Sequence, residues 1–233
     1  LGHRVSIIHG TDGPSYVEVQ DGVQLNFITF SNQRGLAWWK NFRAVNNAIE
    51  ELHKKSPIDI VEGSEMSFSF LRKIGNIKYL IRLHGGHHFF AKGENRGINP
   101  WKGMQEKRSF SKADAFIGVS KYVVDHTSSY ISFRNRPTQV IFNPIDLDLF
   151  AGADLNKIVP FRLVFVGTLV EKKGIRQLIQ AFPIILSKFP QVTLSIYGRD
   201  WKDLKGNSFR AKLEELIPTD LQGKISFFGS VDR

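Results

Sequence analysis

Short apolar runs alternating with stretches of helical period constrain this chain more than any other feature. Leu163-Val-Phe-Val166 is an unbroken apolar run, the pattern of a strand covered on both faces. A tight loop over residues 167–173 follows. From 175 to 186 the apolar side chains recur at Leu178, Ile179, Phe182 and Ile185, one face of a helix. Pro183 lies inside that stretch and is expected to kink or break it. Strands over 192–196 and 225–228, with a helix over 209–217, continue the rhythm. Earlier in the chain, strands are expected at 57–61, 79–83, 115–119 and 140–142. Helices are expected at 36–52, 68–74, 98–112 and 121–131, with Ser120 as the cap of the last. Residues 5–8 form another apolar run, and 16–19 with 23–29 around Asp21-Gly22 read as a hairpin.

Alternation of this kind predicts parallel α/β sheets, here in two blocks joined near 146–160. The second block stops after three strands, fewer than the five or six of a doubly wound sheet. The first opens abruptly at Leu1, with no initiator methionine. The expectation is an internal fragment, with both blocks incomplete.

Composition narrows the function classes. Of 233 residues, 42% are hydrophobic and 23% charged, enough for a sizeable core. The absence of cysteine excludes disulfides, zinc–thiolate sites, iron–sulfur clusters and a cysteine nucleophile. No apolar stretch approaches a membrane span and no signal peptide opens the chain, so a cytoplasmic location is expected. The formal charge is +10, which predicts an anionic partner. Residues 1–150 hold 19 basic and 14 acidic side chains, and 151–233 hold 13 and 8. This even spread disfavours nucleic acid and leaves nucleotides, phosphates or an anionic membrane surface. Trp38, Trp39, Trp101 and Trp201 are expected in cores, because they are not interleaved with clustered cations.

Three places carry candidate chemistry. Gly167 to Gly174 follows a strand and precedes a helix, with Lys172 and Lys173 just ahead of it. Unpaired N–H groups, a positive helix end and a lysine together make an anion cradle; the alternative is a solvated basic turn. His84-Gly-Gly-His87-His88 follows the strand at 79–83. With no carboxylate inside the cluster it is not read as a metal site. His84 instead stands where α/β ligands bind, at the C-terminal edge of a parallel sheet. Ser120 lacks the second glycine of a nucleophile elbow and reads as an N-cap.

Taken together and in order, these segments resemble the retaining, nucleotide-sugar-dependent glycosyltransferases of family 4, also called group 1, with the GT-B fold. Gly2-His-Arg-Val5 resembles that family's G-H-x-V, Asp59-Ile-Val61 its D-x-V, and Arg82-Leu-His84-Gly85 its H-G segment. Residues 114–120 resemble d-x-x-i-x-x-S, and residues 140–146, through Asn143-Pro144, resemble v-x-x-N-G-I-D. Residues 165–174 resemble F-V-G-R-L-x-x-E-K-G, 194–198 resemble l-x-I-x-G, and 225–231 resemble v-x-F-x-G-x-V.

The resemblance implies two Rossmann-like domains, an acceptor-side domain at 1–147 and the first part of a nucleotide-sugar-binding domain at 148–233. It implies that Lys173 holds the donor diphosphate with Gly167 and Thr168 beside it. Gly198, Phe228, Gly229 and Val231 would then line the base and ribose pocket. His84 would sit near the transferred sugar as the catalytic residue, with Ser120 and Asn143 lining the cleft. Thr168 stands where the motif frequently has arginine, and Lys172 where it has glutamate. The family's glycine-rich acceptor loop and E-x7-E segment would lie outside these residues.

The implied reaction moves a sugar from a UDP- or GDP-linked donor to a sugar, glycolipid or polysaccharide hydroxyl with retention. It needs no cofactor or metal. A nucleotide-sugar epimerase and a non-catalytic nucleotide-sugar-binding subunit are the alternatives. Lys102, Lys107, Arg108 and Lys112 around Trp101 are candidates for peripheral contact with an anionic membrane, or else form a solvated helix face.

Overall fold

The structure, a computed structural model, describes residues 2–33, 35–148, 152, 154–203 and 205–231. The chain divides into two units, Leu1–Ile145 and Asp146–Arg233.

In the first unit, β1 (Ser6–Thr11), β2 (Tyr16–Gln20) and β3 (Val23–Thr29) form a sheet in the order β1-β3-β2. The β2–β3 hairpin turns at Asp21 and Gly22, with φ of 51° and 77°. Two successive positive values match the right-handed twist of the strands, which is why Asp-Gly serves here. A second sheet holds β4 (Ile60–Gly63), β5 (Lys78–Leu83), β6 (Ala115–Gly118) and β7 (Thr138–Val140), in sequential order and all parallel.

Helix α1 (Ala37–Lys55) precedes β4 and buries Ile49 and Asn46. After β5 come α2 (His87–Gly93) and α3 (Pro100–Lys112), and after β6 comes α4 (Lys121–Ser128). The core gathers Phe68, Tyr79, Ile81, Leu83, Phe110 and Phe116. Along β5 the buried positions alternate with Leu80 and Arg82, so this strand packs its core on one face. On the other face Arg82 pairs with Glu62.

The expected helix over 68–74 is absent; residues 65–68 form a turn. Its backbone is held by side chains from two helices. Phe68 N–H donates to Ser109 Oγ at 3.0 Å, and Arg72 N–H donates to Asn46 Oδ1 at 2.7 Å. These bonds replace the helical ladder. Conversely, α2 occupies the His87–Gly93 stretch that reads as loop in the sequence. The strand expected over 140–142 ends at Val140.

In the second unit, β8 (Arg162–Val166), β9 (Thr193–Tyr197) and β10 (Ile225–Gly229) form a parallel sheet in the order β10-β9-β8. Helices α5 (Ile175–Lys188) and α6 (Phe209–Glu214) both join the core on one face, where Ile175, Ile179, Phe182 and Leu213 meet Leu194, Ile196 and Ile225. Pro183 does not break α5. It sits on the exposed side, one residue past fully buried Phe182. Having no N–H, it leaves the Ile179 carbonyl without its helical donor. The expectation that 163–166 is covered on both faces fails as well. Leu163 and Phe165 pack on the core, but Val164 and Val166 are exposed, because α5 and α6 lie on the same side. Among the described residues no helix is long and apolar enough to cross a membrane.

This one-sided packing makes a contrast that urea unfolding will read. Phe182→Ala should cost about 3–5 kcal/mol, the range for truncating a buried aromatic ring. Val166→Ala, at a position 76% exposed, should change stability by less than about 0.5 kcal/mol.

Candidate functional site

All three strands of the second unit run out into glycine at the same edge. Gly167, Gly198 and Gly229 have φ of 155°, 150° and 74°. Gly198 N–H donates to the Gly229 carbonyl at 2.7 Å, and Gly167 N–H to the Tyr197 carbonyl at 2.9 Å. A Cβ at position 198 would overlap the Gly167 carbonyl, so glycine here is what lets the strand ends close together. The result is a half-buried edge of backbone free of side chains at its three glycines.

From this edge the chain enters a short 3-10 turn, Glu171–Lys173, and then Gly174 in the left-handed region at φ 74°. Helix α5 starts there with no side-chain cap and no acidic residue in its first turn. Its leading N–H groups and dipole therefore favour an anion. Glu171 is drawn away by Arg176 at 2.9 Å and by Gln177. Lys173 is exposed and makes no ion pair among the described residues. Thr168 is half-buried beside Gly167. Phe228, 53% exposed, stacks on Tyr197 with ring centroids 4.7 Å apart. Val231 is exposed just beyond β10. Thus Gly167, Thr168, Gly198 and Gly229 share one edge, with Lys173 on the loop that leaves it and Phe228 on β10.

Asp200 supports this edge and was not singled out in the sequence. Its carboxylate accepts the Arg210 N–H at 2.8 Å, while Ser208 Oγ accepts the Ala211 N–H at 2.9 Å, so both hold the start of α6. Burial raises the Asp200 pKa, but hydrogen bonds from Arg210, Ser208 and Phe209 outweigh it and hold the carboxyl below the usual aspartate range.

In the first unit, the strand ends again share an edge. His84 follows β5, Ser120 follows β6 and Asn143 follows β7, and the parallel register keeps these exits adjacent. Val119 N–H donates to the Leu83 carbonyl and Ile141 N–H to that of Gly118. Ser120 is the N-cap of α4, accepting the Val123 N–H at 3.2 Å. His84 is exposed, and so is Asn143.

Two carboxylates missing from the local sequence bracket the histidine cluster in space. Buried Glu65 accepts the backbone N–H groups of His84 and Gly85 at 2.6 and 2.7 Å. Fully buried Glu106 accepts the His88 N–H at 2.9 Å and also bonds the His88 Nδ1. A Cβ at Gly86 would overlap Glu106 Oε1, so that glycine seats the loop on the carboxylate. His87 Nε2 accepts the Asn99 N–H at 2.9 Å. His87 and His88 are thus consumed in holding the loop, and His84 is the member of the cluster turned to solvent. Among the described residues no three His, Asp or Glu side chains converge as a metal site.

The basic group near Trp101 is likewise partly structural. Lys112 Nζ donates to the carbonyls of Ser69 and Leu71, and Arg108 Nε to that of Ser69. Lys112 is half-buried, and burial with the Arg108 charge pushes its pKa down. It therefore does not belong to an exposed basic face. The tryptophans are not core residues either. Trp38, Trp39, Trp101 and Trp201 are all exposed, although Trp38 and Trp101 pack on Phe70.

Two measurements check this geometry. Gly198→Ala should lower the stability of the second unit by about 1–3 kcal/mol in urea, as forced overlap does elsewhere. Gly223→Ala, in open space, should be near neutral. The second concerns His87, whose pKa burial lowers, with the Arg96 charge adding to it. The unfolded chain then binds a proton the folded chain refuses below about pH 6.5. The thermal midpoint should fall as pH drops from about 7 to about 5. It should fall less in His87→Gln, which keeps an acceptor for Asn99; equal slopes would remove His87 as the cause.

Comparison with known proteins bears on both edges. Residues 1–149 match the model of Glycosyltransferase Family 4, and residues 160–233 match that of Glycosyl transferases group 1. No curated protein matches the chain in sequence. Among solved structures, TarM superposes with a TM-score of 0.58 at 16% identity, covering 79% of this chain and 36% of TarM. The alpha,alpha-trehalose-phosphate synthase (UDP-forming) from Burkholderia vietnamiensis superposes at 0.64 and 14% identity, covering 96% of this chain and 67% of that one. A trehalose-6-phosphate structure from E. coli, bound with UDP-2-fluoro glucose, superposes at 0.63 and 13% identity, covering 98% and 67%. The chain therefore spans little more than a third of TarM and two thirds of the other two. At these identities the likeness is one of fold, the α/β class of GT-B glycosyltransferases. With one model matched through the first unit and its group 1 counterpart through the second, the chain belongs to glycosyltransferase family 4.

Proposed function

We propose that the protein transfers a sugar from a nucleoside diphosphate sugar, UDP- or GDP-linked, to an acceptor hydroxyl with retention of configuration. One observation carries this reading: three parallel strands end in glycine beside an uncapped helix whose approach holds Lys173. Such an edge suits a diphosphate, because backbone N–H groups, a helix dipole and a full charge converge without a side chain in the way. In this reading Lys173 holds the diphosphate and Thr168 offers it a hydroxyl. Gly167, Gly198, Gly229, Phe228 and Val231 line the nucleoside. UDP-2-fluoro glucose in the E. coli neighbour supports a uridine donor.

The first unit receives the acceptor. His84, with its backbone fixed by Glu65, stands beside the transferred sugar, and Ser120 and Asn143 border the same edge. In the reaction the bond between the anomeric carbon and the donor phosphate oxygen breaks, and the acceptor oxygen bonds that carbon. The acceptor proton passes to the departing diphosphate. The protein stabilises the leaving charge and orients both sugars, a division of labour that needs no separate cofactor. The acceptor is a sugar, glycolipid or polysaccharide, and the location cytoplasmic. Exposed Trp101, Lys102 and Lys107 offer peripheral contact with an anionic membrane.

The test uses the full-length protein, UDP- and GDP-sugars and a panel of sugar acceptors. Lys173→Ala should weaken donor binding about tenfold or more, the scale of one charge-assisted hydrogen bond. His84→Ala should lower turnover with a smaller change in donor affinity. Unchanged binding and turnover in Lys173→Ala would refute the diphosphate assignment. Sugar-nucleotide isomer forming without acceptor would identify an epimerase, and donor binding without transfer a binding subunit.

A further inference from the structure

Position 168, where the motif of this family often has arginine, holds threonine, which leaves the diphosphate edge one cation short. We propose that Arg199 supplies that cation from the neighbouring strand, as a phosphate-binding residue of the donor site. The proposal rests on the donor reading given above and adds to it a residue that the motif does not predict.

Register carries the argument. Val166 lies opposite Tyr197 at the end of the β8–β9 ladder, and the same pairing resumes at Leu169 opposite Asp200. Two hydrogen bonds flank the glycine bend in the same register, from Gly167 N–H to the Tyr197 carbonyl and from Leu169 N–H to the Arg199 carbonyl, at 2.9 and 3.0 Å. Thr168 therefore lies directly opposite Arg199. Paired strands sit about 4.8 Å apart, so these two side chains start from adjacent points.

Their direction follows from the neighbours. Leu169 is buried in the core shared with α5 and α6. Asp200 turns its carboxylate to the start of α6, on that same side. Side chains alternate along a strand, so Thr168 and Arg199 project together onto the opposite face. Val166, one alternation earlier, is exposed there, and so is Arg199.

Arg199 also differs from the other arginines that flank this edge. Arg176 pairs with Glu171 and lies over the Phe209 ring. Arg210 pairs with Glu214 and lies over Phe227. Arg199 has no ion pair, hydrogen-bonded side chain or ring contact among the described residues. A solvated guanidinium beside a glycine edge is set to take two phosphate oxygens at once, a geometry that a lysine does not reproduce.

The experiment titrates full-length protein with UDP, GDP and the corresponding nucleosides, following binding by calorimetry and folding by thermal midpoint. Arg199→Ala and Arg199→Gln should each weaken diphosphate binding about tenfold or more, with nucleoside binding and midpoint unchanged. Arg199→Lys should recover part of the loss. Thr168→Arg placed on Arg199→Ala should recover more, because it returns a guanidinium to the same face. Lys172→Ala serves as the neighbouring-cation control and should weaken binding less. If Lys173→Ala weakens diphosphate binding while both Arg199 variants leave it unchanged, the Arg199 assignment is wrong and the donor site stands. If Lys173→Ala also leaves it unchanged, the donor reading fails and this inference with it. An equal loss of nucleoside and diphosphate binding in the Arg199 variants would mark a structural role and overturn the proposal.

Discussion

The close backbone approach of Gly198 to Gly167 governs the shape of the second unit's glycine edge. Because no Cβ intervenes, the β9 end can draw against β8 and bond onward to Gly229, and the three strand ends form one continuous rim. A larger residue would force the ends apart and fill the space where a ligand meets backbone. The core that supports the rim is built from one side only, with Phe182, Ile196 and Leu213 clamping α5 and α6 to the sheet. The same strand–loop–helix unit that builds this core also carries the uncapped start of α5. The long-range cap from Asp200 onto α6 ties the β9 extension to the second helix.

In the first unit the comparable organising element is a pair of buried carboxylates. Each is stabilised by N–H donors aimed at it, the condition for keeping charge or a polar oxygen away from water. Glu65 takes two backbone donors from the His84–Gly85 turn, and Glu106 takes the backbone and ring of His88. These contacts turn a run of three histidines and two glycines into a rigid loop with a single exposed imidazole. The His87 and His88 rings meet edge to face and bond different partners, Asn99 and Glu106.

Local signals made much of the fold legible. Strand–helix alternation, the Asp21-Gly22 hairpin, the Ser120 cap and the apolar face of α5 all depend on residues a few positions apart. The failures share the opposite property. The segment at 68–74 is not a helix because Ser109 and Asn46, 41 and 26 residues away from Phe68 and Arg72 along the chain, take their N–H groups. α2 begins where it does because Glu106 receives His88. Glu65, Glu106 and Asp200 carry no local motif at all. Their partners are fixed only once the strands are in register. Likewise the apolar run at 163–166 says that the strand is apolar, not which of its faces a helix will cover. A strand that ends in glycine before a helix is, by contrast, a local pattern, and it is present at Gly167 and Gly198.

The surplus of positive charge becomes more specific when each cation is followed to its partner. Lys112, Arg108 and Arg136 hold backbone carbonyls, and Lys73, Arg82, Arg176 and Arg210 are matched by carboxylates. Charges so engaged add little to the field an incoming anion meets, since each is largely cancelled within a few ångströms or spent on a carbonyl. Beside the glycine rim, Lys173 and Arg199, on the segments that leave β8 and β9, make no ion pair among the described residues. Net charge of the chain therefore describes the attraction of anions in general, while the proposed diphosphate site draws on two particular side chains and the backbone between them. That separation makes an even distribution of charge along the sequence compatible with the one anion site proposed here. The site is assembled by register, not by a basic segment.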